Sequence, residues 1–307
     1  MTNRVVIGSR GSQLARTQSE LVLSILKEAN PQLNFNLVGI VTSGDRNHRT
    51  PLDRMPGVGV FVKELEAALL DGRIDVAVHS LKDMPTDIPR GLCLGAVMER
   101  ADPRDVLVSS GPGLAELSPG SRIGTGSLRR AVQLKAYRPD LKARSLRGNV
   151  DTRLRKVSSG ELDAVIVAAT ALIRLGWQDR ITEYLPLEHF LPPAGQGTLG
   201  IEIRSGDEQV ARLISILNHW STYQSVAAER AFLRFLGGGC RAPIAALGII
   251  ESNVLKLIGM VADASGNNIL HASVEGSATD PERVGEQLAQ HMLALGASKF
   301  IAKAVTP

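Results

Sequence analysis

Ile123-Gly124-Thr125-Gly126-Ser127-Leu128-Arg129-Arg130 joins a short apolar run to a helical pattern. A variant of it stands near the start of the chain as Ile7-Gly8-Ser9-Arg10-Gly11-Ser12. Two further landmarks recur in the same order. Pro31-Gln32-Leu33 matches Pro139-Asp140-Leu141, and Gly72-Arg73-Ile74-Asp75-Val76-Ala77-Val78 matches Gly160-Glu161-Leu162-Asp163-Ala164-Val165-Ile166. Each set spells strand, helix, strand, helix, strand. That order implies parallel strands joined by crossover helices, once in each half. The fold expected is α/β, with two related domains built on mostly parallel sheets.

The offsets between copies are 116, 108 and 88 residues. The first half is therefore longer by about 20 residues between its second strand and second helix. The surplus falls on residues 42–60, rich in Gly, Pro and Arg. It reads as a lid beside a cleft between the two halves, or as a plain surface loop.

Both glycine–serine turns precede helices. A helix start offers unpaired N–H groups and partial positive charge, and so suits an anion. Ser12, Thr125 and Ser127 can add hydroxyls, and Arg10, Arg129 and Arg130 add charge. The alternative is capping by Ser12 and Ser127 with solvated arginines. Net charge is only +4, but residues 122–156 hold 11 lysines and arginines against Asp140 and Asp151. Such a field draws phosphate, nucleic acid or carboxylates. Aromatic residues make up 4%, which argues against a stacking surface for single-stranded nucleic acid.

After Ile203 the pattern changes. Helices are expected over 207–218 and 222–236, strands over 245–250, 254–263 and 269–275, and a helix over 280–295. This predicts a small α+β domain with an antiparallel sheet. The domains expected are 1–98 with 198–218, then 103–194, then 220–307. No signal peptide precedes the first strand and no apolar run is long enough to cross a bilayer. Two cysteines, Cys93 and Cys240, form no disulfide framework, and a cytoplasmic location is expected.

Asp83 lies just beyond a strand, where ligand sites of open α/β sheets gather. It is either an ionised catalytic group or a turn aspartate before Met84-Pro85. Cys240 sits in Gly237-Gly238-Gly239-Cys240-Arg241-Ala242-Pro243, where Arg241 favours thiolate. It is a nucleophile or an incidental thiol. Cys93 alternates within a strand pattern and reads as core. The histidines show no metal-ligand spacing, and no metal is expected.

Five segments together resemble one family in order along the whole chain. They are Ser80–Pro85, Ile123–Arg130, Ser145-Leu146-Arg147-Gly148-Asn149-Val150-Asp151-Thr152-Arg153, Pro193-Ala194-Gly195-Gln196-Gly197 and Gly237–Pro243. The family is that of porphobilinogen deaminase, or hydroxymethylbilane synthase. The resemblance implies a transferase of tetrapyrrole (porphyrin, heme) biosynthesis. It would join four porphobilinogens head to tail, releasing ammonia, on a dipyrromethane cofactor bound covalently through Cys240, and then release hydroxymethylbilane by hydrolysis. Asp83 would be catalytic. By the family pattern, Lys82, Thr125, Ser127, Arg129, Arg130, Arg147 and Gly148 would hold the cofactor. Arg10, Ser12, Arg147, Arg153, Gln196 and Phe61 would hold substrate. The expected partner is porphobilinogen alone, with no nucleic acid or membrane, and the protein a monomer. Two positions depart from the pattern. Val58 stands where the family often has Lys before Phe61, with Arg54 the candidate substitute, and Gly126 replaces a frequent Ser. A two-lobed, periplasmic-binding-protein-like module that binds anions without catalysis is the alternative function.

Overall fold

The computed structural model describes residues 4–46, 59, 62–237 and 242–305. Most of the expected lid, with Arg54, Val58 and Phe61, lies outside the described residues, as does Cys240. The chain divides into two compact units. Among the described residues, the first holds 4–46, 59, 62–101 and 198–223; the second holds 102–197, 224–237 and 242–305.

In the first unit, β1 (Arg4–Arg10), α1 (Gln13–Ala29) and β2 (Asn34–Ile40) form one crossover. Ser12 caps α1 by accepting from Ala15 N–H, and Val22 and Leu26 bury its inner face. A single turn α2 (Ser43–Arg46) and α3 (Lys63–Leu70) lead to β3 (Val76–Ser80). A 3-10 turn at Leu81–Asp83 and then β4 (Leu92–Val97) come next. The sheet is closed by a late strand, β10 (Leu199–Arg204), giving the order β2-β1-β3-β10-β4. β10 runs against its neighbours, and the other four share one direction. Cys93 lies on β4, half-buried against the core.

The second unit repeats the plan. β5 (Asp105–Ser109) comes first, then β6 (Arg122–Thr125), α4 (Leu128–Tyr137), β7 (Lys142–Ser145), α5 (Val150–Ser158), β8 (Ala164–Ala168), α6 (Ala169–Arg174) and β9 (Glu183–Tyr184). The order is β7-β6-β8-β5-β9, with β5 the reversed strand.

The internal registers match the repeat seen in the sequence. Ile7 pairs with Val76 and Gly8 with Ala77; Ile123 pairs with Ala164 and Gly124 with Val165. One polar latch is also copied. Asp75 accepts from Val6 N–H and donates its own N–H to Val6 O, and Asp163 does the same with Arg122. An arginine closes each latch, Arg204 on Asp75 at 2.7 Å and Arg122 on Asp163 at 3.0 Å. β8 is apolar and buried throughout, and β3 is buried from Val76 to His79, as central strands covered on both faces are.

After α7 (Glu208–Ile214) and α8 (Trp220–Leu236), β11 (Ile244–Glu251), β12 (Val254–Ala262) and β13 (Ile269–Ser277) form the expected antiparallel sheet. Ser252 and Asn253, at φ 48° and 66°, make its first hairpin turn. α9 (Pro281–Ala294) covers one face and α10 (Ser298–Val305) comes last.

Candidate functional site

In the first unit, β1 and β3 are adjacent and parallel, so their carboxyl ends lie together. Arg10 and Ser12 stand at the end of one; Lys82 and Asp83 stand just past the other. Gln18, on the helix that follows β1, bonds at 3.0 Å with Ser80 Oγ at the end of β3. Arg10, Lys82 and Asp83 are half-buried. The Asp83 carboxylate has no hydrogen bond or ion pair among the described residues. It is therefore available to a ligand. Ser12 does cap its helix, so the capping alternative holds there.

In the second unit, β6 and β7 end together in the same way. Thr125 Oγ1 accepts from Ser127 N–H at 3.2 Å, and Ser127 makes no capping bond with its own side chain. The next loop, Leu146–Gly148, packs on this turn. Leu146 N–H bonds to Thr125 O at 3.1 Å, and Arg153 Nε donates to Gly148 O at 2.8 Å. A Cβ on Gly126 would stand 2.5 Å from Leu146 O. The missing hydroxyl at this position thus accompanies a backbone approach that a side chain would block. Gly148, at φ +104°, keeps a conformation that side chains avoid. Thr125, Ser127, Arg147, Gly148 and Arg153 are brought to one end of the sheet.

Arg129 and Arg130 open α4 and turn inward. Only 4% and 6% exposed, they share one carboxylate, Asp105, at 2.8 and 2.7 Å. Gln196 Nε2 adds a bond to Asp105 at 2.9 Å and another to Pro103 O at 2.7 Å. Burial alone would raise the Asp105 carboxyl. The charges of Arg129 and Arg130, with bonds from Arg130 and Gln196, outweigh it and hold that carboxyl well below the usual range. Burial pulls Arg129 down from its ordinary value. Two cations against one anion leave one positive charge, and the Nε of each arginine is buried without an acceptor among the described residues.

The sequence singled out neither Asp105 nor Arg174. Arg174 ends α6 with Nη2 on Gly197 O at 2.8 Å. Burial lowers it to about 10, and no carboxylate pairs with it among the described residues. It lies outside the basic stretch that drew attention, and nothing in Ala169–Arg174 marks it. Glu229 on α8 was missed as well. Fully buried, it accepts from Gly195 N–H at 2.7 Å and Gly248 N–H at 2.8 Å. The helix leading toward Cys240 is thereby tied to the loop of Gln196.

The basic stretch is also less naked than its sequence. Arg122, Arg138, Arg155 and Lys156 pair with Asp163, Asp140, Asp151 and Glu161. Lys135 holds Ser265 O and Asn267 Oδ1 on the hairpin after β12, both at 2.8 Å.

These features define a repeated α/β protein with anion-directed cations in one half, an unengaged carboxylate in the other, and an added antiparallel sheet. Residues 5–212 match the family model described as porphobilinogen deaminase, dipyromethane cofactor binding domain, and residues 223–294 match its C-terminal domain. The chain belongs to the porphobilinogen deaminase family. It is 46% identical over 305 residues to the porphobilinogen deaminase of Pelotomaculum thermopropionicum, covering 99% of this chain and 98% of that one. It is 48% identical over 298 residues to that of Moorella thermoacetica, covering 97% and 95%. Among solved structures, the methionine binding protein MetQ aligns with 78% of this chain and 98% of its own at 16% identity and a TM-score of 0.46.

Proposed function

We propose that this chain polymerises four porphobilinogen molecules head to tail with loss of ammonia, on a dipyrromethane joined to Cys240, and releases hydroxymethylbilane by hydrolysis. Membership of the family over nearly the full chain supports the reaction. The observation that carries the site is Asp83: a half-buried carboxylate at a strand's carboxyl end, engaged by nothing else described.

A group bearing several carboxylates fits the second unit. The surplus charge of Arg129 and Arg130, their buried Nε–H groups without an acceptor among the described residues, and Arg174, which meets no carboxylate among them, suit such a ligand. Lys82, Thr125, Ser127, Arg147 and Gly148 would complete its cradle, with Gln196 acting through Asp105. When bound, dipyrromethane supplies the free pyrrole carbon that the first incoming unit joins. Arg10, Ser12, Arg153 and Phe61 would bind the carboxylates and ring of porphobilinogen. Asp83 would accept its pyrrole N–H. As ammonia leaves with the C–N electron pair, a cation develops on the substrate, and the fixed carboxylate stabilises it. After the new C–C bond forms, Asp83 stands ready to take the proton released.

The three-domain division at 1–98 with 198–218, 103–194 and 220–307 is part of this proposal, supported by one sheet in each. So are a monomeric state, a cytoplasmic location and the absence of nucleic-acid binding. Among the described residues no helix is long and apolar enough to cross a membrane. Intact mass tests the attachment. The purified protein is expected to be heavier than its bare chain by one dipyrromethane, and Cys240→Ser to lose that increment. An active protein of bare-chain mass would overturn the proposal.

A further inference from the structure

The reaction leaves one buried titratable cluster of the first unit unused. It consists of His79 on β3, Glu202 on β10 and Glu66 on α3. Successive side chains of a strand point to opposite faces, and the last two residues of β3 are each fastened on their own side. His79 Nε2 meets Glu202 Oε2 at 2.9 Å, with the two side chains 2% and 0% exposed. Ser80 exchanges hydrogen bonds with Gln18 of α1. The next residue, Leu81, donates its N–H to Thr198 O at 3.2 Å.

Gly200 lies directly opposite His79 in the ladder. Its missing side chain leaves a seat for the turn after β3. A Cβ there would meet Leu81 Cδ1 at 2.7 Å and Met84 Sδ at 3.3 Å, the residues on either side of Lys82 and Asp83. Asp83 is thus carried on a short turn whose entry is clamped and whose two flanking side chains sit over one glycine. Glu202 is the clamp's anchor, and a buried carboxylate needs a donor. Burial, and then the charge of Glu202, raise the Glu66 carboxyl, while His79 and Lys63 pull it down. A second negative charge beside Glu202 is therefore disfavoured, and among the described residues His79 is the partner that Glu202 has, through Oε2, while Oε1 is buried without one.

We infer that His79 is a positioning residue for the reaction: its hydrogen bond to Glu202 fixes the end of β3 and so the direction of the Asp83 carboxylate. This rests on the role proposed for Asp83. The pair itself touches no proposed ligand and acts only through the turn that carries Lys82 and Asp83, so its loss is expected to weaken turnover more than binding.

The test uses the full-length protein as expressed, with dipyrromethane load read by intact mass, stability by urea unfolding, and kcat and KM by steady-state kinetics. His79→Leu is expected to lower kcat roughly ten- to a hundredfold through misplacement of the carboxylate. KM is expected to move less than kcat, within about threefold, since Arg10, Ser12 and Arg153, proposed to hold the substrate carboxylates, lie off this turn. The dipyrromethane mass is retained. His79→Gln, whose amide N–H reaches the same carboxylate, recovers most of the turnover. The double variant H79L/E202M also removes the acid left without its donor; stability returns and kcat does not. Wild-type kcat in H79L, a change in KM instead of kcat, loss of the cofactor mass, or kcat returning with stability in the double variant each overturns the inference. Should the apolar variants not fold, His79→Asn, whose amide stops short of Glu202, is expected to lose the turnover that His79→Gln keeps. Equal kcat in those two overturns it as well. Failure of the underlying function reads differently: the wild-type protein would make no hydroxymethylbilane, or Asp83→Asn would turn over as the wild type does.

Discussion

Both five-stranded sheets insert a reversed strand in the fourth place, and each of those strands carries an acid with no solvent exposure. On β10 it is Glu202, facing one histidine; on β5 it is Asp105, facing two arginines. The acids do not occupy equivalent positions. Asp105 pairs with Ala168, the counterpart of Ser80, which pairs with Leu199. The repeat therefore copies the scaffold and leaves the chemistry to each copy. At the positions of Lys82 and Asp83 the second half has Thr170 and Ala171. At the positions of Arg129 and Arg130 the first half has Gln13 and Leu14. Among the described residues, one half is equipped with an unengaged carboxylate, the other with inward cations.

The largest effect that could break this division is at Asp83. Asp83→Asn keeps the shape and removes the charge, and is expected to cut kcat by about a hundredfold or more while carboxylate ligands still bind. Unchanged turnover would show that the first half does not supply the reacting group. Steady-state rates and ligand titration decide it.

Next comes Asp105. Asp105→Asn leaves two buried guanidiniums facing each other and is expected to destabilise the protein by about 3–5 kcal/mol. Its folded carboxyl is depressed, so its contribution is complete above the unfolded value of roughly 4 and is lost as pH falls below it. Glu66 has the opposite sign. Its folded carboxyl is raised, so the folded state holds the proton more tightly, and stability falls as pH rises from about 4.5 through the folded value. Glu66→Gln is expected to flatten that slope and not to destabilise at pH 7. Urea midpoints measured from pH 3 to 8 separate the two acids; parallel slopes in both variants would contradict the contrast.

The smallest effect concerns what the halves share. A Cβ on Gly8 would stand 2.4 Å from Ile74 Cδ1, and one on Gly124 2.5 Å from Leu162 Cδ1. Gly8→Ala and Gly124→Ala are therefore expected to destabilise by about 1–3 kcal/mol each, and by similar amounts. A large inequality, read by thermal unfolding, would mean that the two strand–helix joints are less alike than their registers.

Periodicity and repetition made the scaffold legible. Glycine before the helix, the buried Val76–Ser80 and Ala164–Ala168 strands and the three antiparallel strands near the C-terminus all announce themselves, because backbone geometry and core burial act on neighbours in the chain. Asp83, Thr125, Arg129 and Arg130 were legible as candidates for the same reason: they sit at strand ends and helix starts. What the basic stretch does electrostatically was not. Asp105, Asp163 and Glu161 come from outside it and neutralise much of it.

By itself the chain's sequence determined two copies of one α/β unit, the added antiparallel sheet and the family, since these depend on local pattern and on motifs contiguous in the chain. Only the tertiary structure decided which charges are spent and which are left over. Arg129 and Arg130 share Asp105, 24 and 25 residues away, with one positive charge over; Glu202 is spent on His79 across 123 residues; among the described residues Arg174 meets no carboxylate and Asp83 no partner. Burial and ion pairing join residues far apart in the chain, so no spacing along it records them.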